Sequence, residues 1–187
     1  ITSYNEEKND IKGSWVKADS AKSKNGITAV GYFFAKELRK KLNVPVGLLK
    51  CPWGGKKIQP FIPSTQYKKD PELKKYYNDS LASLEKTMKT FDPAKLKSKN
   101  EAAMAKWKEA SKKAKAEGKK APRRPRGGTS PALNANFPST LYNSMVNPLV
   151  PFGIKGAIWY QGESNAGSDA PLYGTCLLYT SPSPRDG

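Results

Sequence analysis

Gln161-Gly162-Glu163-Ser164-Asn165 places two side-chain amides, a carboxylate and a hydroxyl within five residues, directly behind the apolar run Ile154 to Tyr160. Three kinds of chemistry fit such a turn. Gly162, Ser164 and Ala166 approximate the G-x-S-x-G pattern of a nucleophile elbow, in which a serine sits on a tight strand-to-helix turn. Gln161 and Asn165 could instead donate amide hydrogen bonds to an oxyanion, a contribution of about 3–4 kcal/mol per donor in a transition state. A third possibility is purely structural: a polar turn in which Ser164 or Asn165 caps a helix. The chain contains no histidine. Ser164 therefore has no imidazole partner within these 187 residues.

A second candidate lies a hundred residues earlier. Trp53-Gly54-Gly55 follows the short apolar run Val46 to Cys51. A glycine exposes an unobstructed N–H and lets the backbone approach a ligand closely. Gly54 and Gly55 could thus add backbone donors to those of the 161–165 turn.

These turns need elements to position them. Ile27, Val30, Phe34, Leu38 and Leu42 recur at three-to-four spacing, which predicts a helix over 27–42. Arg39, Lys40 and Lys41 favour its C-terminal dipole, Asn43 can cap it, and Pro45 stops it. Val46–Cys51 and Ile154–Gln161 are predicted as buried strands, each ending in one of the two turns. Helix, strand, glycine turn is the grammar of an α/β protein, in which ligands gather at the carboxyl ends of strands.

The charge is concentrated elsewhere. Net charge is +17, yet residues 66–126 alone hold 19 Lys/Arg against 8 Asp/Glu. Leu81, Leu84 and Met88 predict one helix there. Asp92-Pro93, an N-cap followed by proline at the first helical position, predicts a second. The second carries Leu96, Ala103, Trp107, Ala110 and Ala114, and Gly118 ends it before the loop "APRRPRGG". The region about 66–130 is expected as an inserted, Lys-rich helical hairpin with a solvated surface. Its sparse aromatics do not suggest stacking on bases, so no nucleic acid is expected as partner. An anion-binding arm is the alternative. Leu141, Met145 and Val146 predict one further helical face before Pro148.

No apolar stretch approaches the length of a membrane span. Cys51 and Cys176 are the two cysteines, and Cys51 is expected as a small buried hydrophobe. The run Cys176 to Asp186, Cys-Leu-Leu-Tyr-Thr-Ser-Pro-Ser-Pro-Arg-Asp, matches the translation of a transposase-adapter sequence. Residues 176–187 are accordingly expected to be non-native, and residues 1–175 to form one incomplete domain.

Val30–Phe61, with W-G-G at 53–55, and Leu141–Ala166, with W-x-Q-G-E-S at 159–164, resemble the sialate O-acetylesterase-like branch of the SGNH (GDSL-like) hydrolases. That resemblance implies a three-layer, flavodoxin-like parallel sheet and metal-independent, cofactor-free hydrolysis of O-acetyl esters on carbohydrate. It implies a nucleophilic serine before Ile1 and an Asp–His pair after Thr175, so that this chain alone is inactive. It maps Gly54 and Gly55 to the block that lends an oxyanion-hole N–H. Gln161, with Asn165 as a close second, maps to the block whose amide completes the hole. Gly162 and Glu163 become part of a substrate-facing turn, and Ser164 remains only as an alternative nucleophile. Secretion or a periplasmic location is implied in the same way, with an acetylated carbohydrate as the partner.

Overall fold

A computed structural model describes residues 6–18, 26–150, 152–167 and 169–180. Its regular elements are helical. Helix α1 spans Ala29–Leu42, α2 Gln66–Lys69, α3 Pro71–Lys89, α4 Pro93–Ala116 and α5 Ala170–Thr180. Single turns of 3₁₀ helix at Gln59–Phe61 and Glu163–Asn165, and a π-helical turn at Tyr142–Val146, occupy the places that matter for the site.

The caps at Asn43 and Asp92 act where expected, and Thr28 and Asp70 add two that the sequence reading did not include. The Thr28 side chain accepts from the Gly31 amide and starts α1, and Asn43 ends it in the left-handed conformation. Asp92 caps α4 by accepting from Ala94 and Lys95. Asp70, also followed by proline, caps α3 in the same way through Glu72 and Leu73. Each device satisfies amides that a helix start leaves without intrahelical partners.

The parallel sheet predicted from the sequence is not formed. Among the described residues there is no strand: 46–51 and 154–161 are non-helical, and no hydrogen-bond ladder joins them. The physical reason is that a strand is stable only beside a partner, and these two runs do not pair. Their side chains stay in contact with water, with Ile154 at 62% and Tyr160 at 80% exposure. The apolar stripe of α1 shares that fate. No α1 residue is buried, because no sheet face lies beneath it.

The core gathers instead on a segment with no helical or strand period. Ile58, Gln59, Pro60, Phe61 and Ile62 are all buried. Ile58 and Ile62 pack with Tyr67, Leu73 and Cys176, flanked by Tyr76, Leu172 and Leu177. Phe61 faces the other way, onto Leu141 and Met145, with Cys51 and Trp53 against them. Helix α5 therefore crosses residue 176 without interruption and lends Cys176 to the core. Residues 181–187 lie outside the described residues.

Helix α4 is covered along one side by the chain that follows it. Trp107 Nε1 donates to the Pro122 carbonyl at 2.9 Å. Asn100 and Gly128 exchange two hydrogen bonds, at 2.9 and 2.8 Å. The returning segment 119–130 lies as a strap on the half-buried stripe of Leu96, Asn100, Ala103, Trp107, Ser111 and Ala114.

Candidate active-site turn

The two turns singled out in the sequence are brought together through the residues that follow Gly55. Lys56 to Gln59 run beside Gln161 to Asn165 and are tied to them by side-chain amides. Gln161 Nε2 donates to the Lys56 carbonyl at 2.8 Å. The same nitrogen donates to Asn165 Oδ1 at 3.1 Å. Asn165 Oδ1 also accepts from the Ile58 amide at 2.9 Å, and Asn165 Nδ2 donates to Gln59 Oε1 at 2.9 Å.

Asn165 is 2% exposed and Gln59 is fully buried. Buried polar groups need partners, and this network supplies most of them. Among the described residues, Gln161 Oε1 and Gln59 Nε2 have none. The two amides favoured from sequence as oxyanion donors are thus both turned inward, and both Gln161 Nε2 protons are already bonded. Neither Ser164 nor Asn165 caps a helix. Both lie inside the 3₁₀ turn, whose N-cap is Gly162.

Gly162 makes that turn possible. Its φ of +150° lies in a region that side chains disfavour. Tyr173 of α5 stands over it, and its hydroxyl donates to the Gln161 carbonyl at 2.6 Å while accepting from Trp159 Nε1 at 3.0 Å. The Trp159 ring meets Phe61 edge-on at 5.7 Å. Lys57 and Asp169 form an ion pair beside this layer. The turn is therefore clamped from α5 on one side and from the 56–61 segment on the other.

Four of the candidate residues face water. Glu163 and Ser164 are exposed, as are Gly54 and Gly55 in a turn where Gly55 takes φ +68°. No hydrogen bond ties the Ser164 hydroxyl to a base among the described residues. The Gly54-Gly55 turn and the polar groups at 163–164 thus stand open to water, next to the amide network that joins 56–59 to 161–165.

Titration in the adjoining cluster follows from burial. Burial, and then Asp169 and Asp70, push the Cys176 thiol up to about 12. Burial, followed by Asp169 and Cys176, pushes the Tyr76 phenol up to about 12. Burial raises the Tyr67 phenol and the Cys51 thiol as well. Neither thiol is poised as a nucleophile, since the thiolate is the reactive form.

Sequence reasoning missed Gln59, Tyr173 and the Lys57–Asp169 pair. Gln59 carried a legible signal: an amide flanked by Ile58, Pro60 and Phe61 in "KIQPFIP" must be paired if that run is buried. Tyr173 and Asp169 carried none, because their partners are more than ten residues away.

Comparison with known proteins gives one consistent name. Sialate O-acetylesterase of Rattus norvegicus is 26% identical over 199 residues, covering 95% of this chain and 30% of that protein. Sialate O-acetylesterase of Mus musculus is 25% identical, covering 90% of this chain and 28% of that protein. The protein of the same name from Homo sapiens is 40% identical over 52 residues, 26% of this chain. The chain spans less than a third of the length of these curated relatives. No family model and no solved structure matches.

Proposed function

We propose that this chain is the donor-side portion of a serine esterase that removes O-acetyl groups from carbohydrate. The observation that carries the proposal is the amide network: it ties Lys56–Gln59, the segment directly after the Trp53-Gly54-Gly55 turn, to the Gln161–Asn165 turn across about a hundred residues of sequence. The relatives' shared name supports an esterase. A polar scaffold of this kind holds hydrogen-bond donors steady for a developing oxyanion, and such preorganisation is the largest electrostatic aid to acyl transfer.

In this reading the Gly54 and Gly55 amides point at the acetyl carbonyl oxygen. Gln161 Nε2 exchanges its bond to the Lys56 carbonyl for the oxyanion, while Asn165 retains hold of the other proton. In this reading Ser164 is not the nucleophile: it is exposed, and no hydrogen bond ties its hydroxyl to a base among the described residues. Glu163 and Ser164 form part of the sugar-facing wall. The chain by itself does not turn over ester.

Two measurements test this. With p-nitrophenyl acetate, the chain should show no hydrolysis above background, and Ser164→Ala should change nothing. Turnover abolished by that substitution would sink the proposal. In ¹⁵N-resolved NMR, acetylated xylo-oligosaccharide should shift the Gly54, Gly55 and Gln161 side-chain signals, and the deacetylated sugar should not. Equal shifts from both sugars would also refute it.

A further inference from the structure

We infer that the strap over α4 is a binding surface for a polymer of carboxylate-bearing sugars, held through Arg123, Arg124 and Arg126. Residues 93–126 contain 13 Lys/Arg and three Asp/Glu. All ten lysines and all three arginines of that stretch are exposed. Charge alone would describe any solvated helix. The strap adds a fixed shape.

Pro122 and Pro125 restrict the backbone on either side of Arg123 and Arg124, and Arg126 follows directly. Trp107 Nε1 anchors the strap at the Pro122 carbonyl, and the Asn100–Gly128 pair anchors it at the far end. The Arg124 guanidinium sits 5.8 Å from the centre of the Trp107 ring, which orients its planar head. Arg123, Arg124, Pro125 and Arg126 together line one shallow surface depression. No acidic side chain pairs with these arginines among the described residues. The nearby ion pairs, Lys97–Glu101 and Lys119–Glu117, spend lysines instead.

Three guanidinium groups within four residues can each grip a carboxylate with two parallel hydrogen bonds, which a lysine cannot do. A strip of carboxylates at the spacing of a polymer is the matching ligand. Single-stranded nucleic acid fits less well, because it needs open aromatic faces for its bases. Trp107 is covered by Arg124, and Tyr76 and Tyr77 pack against the core. The choice of a sugar polymer rests on the esterase proposal; the surface itself does not. For that esterase, the substrate class would be an acetylated polysaccharide that also carries acid groups.

The test is affinity electrophoresis of the whole chain through gels containing polygalacturonate, neutral xylan or oligo-dT, at two salt concentrations. Polygalacturonate should retard the chain most and xylan not at all. Affinity should fall roughly twenty- to fortyfold between 50 and 200 mM salt, the dependence expected when about three ionic contacts release counterions. Arg123→Gln/Arg124→Gln/Arg126→Gln should weaken binding at least tenfold, whereas Lys36→Gln/Lys40→Gln/Lys41→Gln on α1 should leave it nearly unchanged. Should Arg124→Gln disturb α4 by circular dichroism, the Arg123→Gln/Arg126→Gln pair, which spares Trp107, still separates the two sites. Equal weakening by both sets would show a diffuse field and overturn the inference, as would tighter binding of oligo-dT. Deacetylating a polymer should not alter retardation here, whereas it should abolish the NMR response at Gln161. The two proposals can therefore fail separately.

Discussion

Replacing Asn165 by alanine should destabilise the fold by about 3 kcal/mol, and the figure can be assembled from three hydrogen bonds. The side chain accepts from the Ile58 amide and from Gln161 Nε2, and donates to Gln59 Oε1. Gln161 Nε2 keeps its bond to the Lys56 carbonyl after truncation. The Ile58 amide and Gln59 Oε1 do not recover, and both residues are fully buried. Leaving a buried group unpaired costs roughly 1–3 kcal/mol. Two such groups give about 2–6 kcal/mol, and partial relaxation of the Gln59 amide places the result in the lower half. Against a typical stability of about 5–15 kcal/mol this is a large fraction.

Urea unfolding followed by tryptophan fluorescence is the assay, since Trp53 and Trp159 flank the network. With a slope of about 2 kcal/mol/M, the midpoint should fall by about 1.5 M. Exposed Ser164→Ala should stay within about 0.5 kcal/mol of the parent. Asn165→Leu fills the volume yet still strands the same two groups, so it separates lost hydrogen bonds from a cavity. Adding Gln59→Leu to Asn165→Leu removes one stranded partner and should recover about 1 kcal/mol relative to the sum of the single changes. An Asn165→Ala loss below about 0.5 kcal/mol, or strict additivity in the double variant, would refute the claim that this network joins the 161–165 turn to the 56–59 segment.

Gly162→Ala forces a side chain onto φ +150° and should cost about 1–3 kcal/mol, read from the same urea curves, even though the space beside Tyr173 is only moderately tight. Alkaline titration should weaken the Ile58–Cys176 cluster in a defined direction. Cys176, Tyr76 and Tyr67 hold their protons more tightly folded than unfolded, so stability is full below the unfolded thiol value of 9.0. It should fall as pH rises from there toward about 12, with a lower urea midpoint at pH 10.5 than at pH 8, and Cys176→Ala should shallow that slope. Asp92→Ala should cost about 1 kcal/mol and reduce helicity by circular dichroism, because the Ala94 and Lys95 amides lose their acceptor.

What could be read from sequence divides by the range of the interactions. The Asp92 and Asn43 caps act within three or four residues, so local signals marked the start of α4 and the end of α1. The Thr28 cap, which starts α1 inside the expected 27–42, was not among them. Strand pairing joins residues far apart, and nothing in Val46–Cys51 or Ile154–Gln161 states what lies beside it. A short apolar run is compatible with a strand, but periodicity cannot supply the partner. The segment that does organise the core, 58–62, has no period to find: its order I-Q-P-F-I sends Ile58 and Ile62 to one cluster and Phe61 to another.

The site divides in the same way. Residue type singled out Gln161 and Asn165 as candidate amides, and both join the 161–165 turn to the 56–59 segment. Their direction was invisible, because it is set by Gln59 and the Lys56 carbonyl, a hundred residues earlier. That direction has a mechanical consequence. Shifting Lys56–Gln59 relative to Gln161–Asn165 would break three buried or half-buried hydrogen bonds at once. At roughly 1 kcal/mol net for each bond, and more for each group left unpaired, such a sliding motion is rare. Lys56–Gln59 and Gln161–Asn165 therefore move as one body.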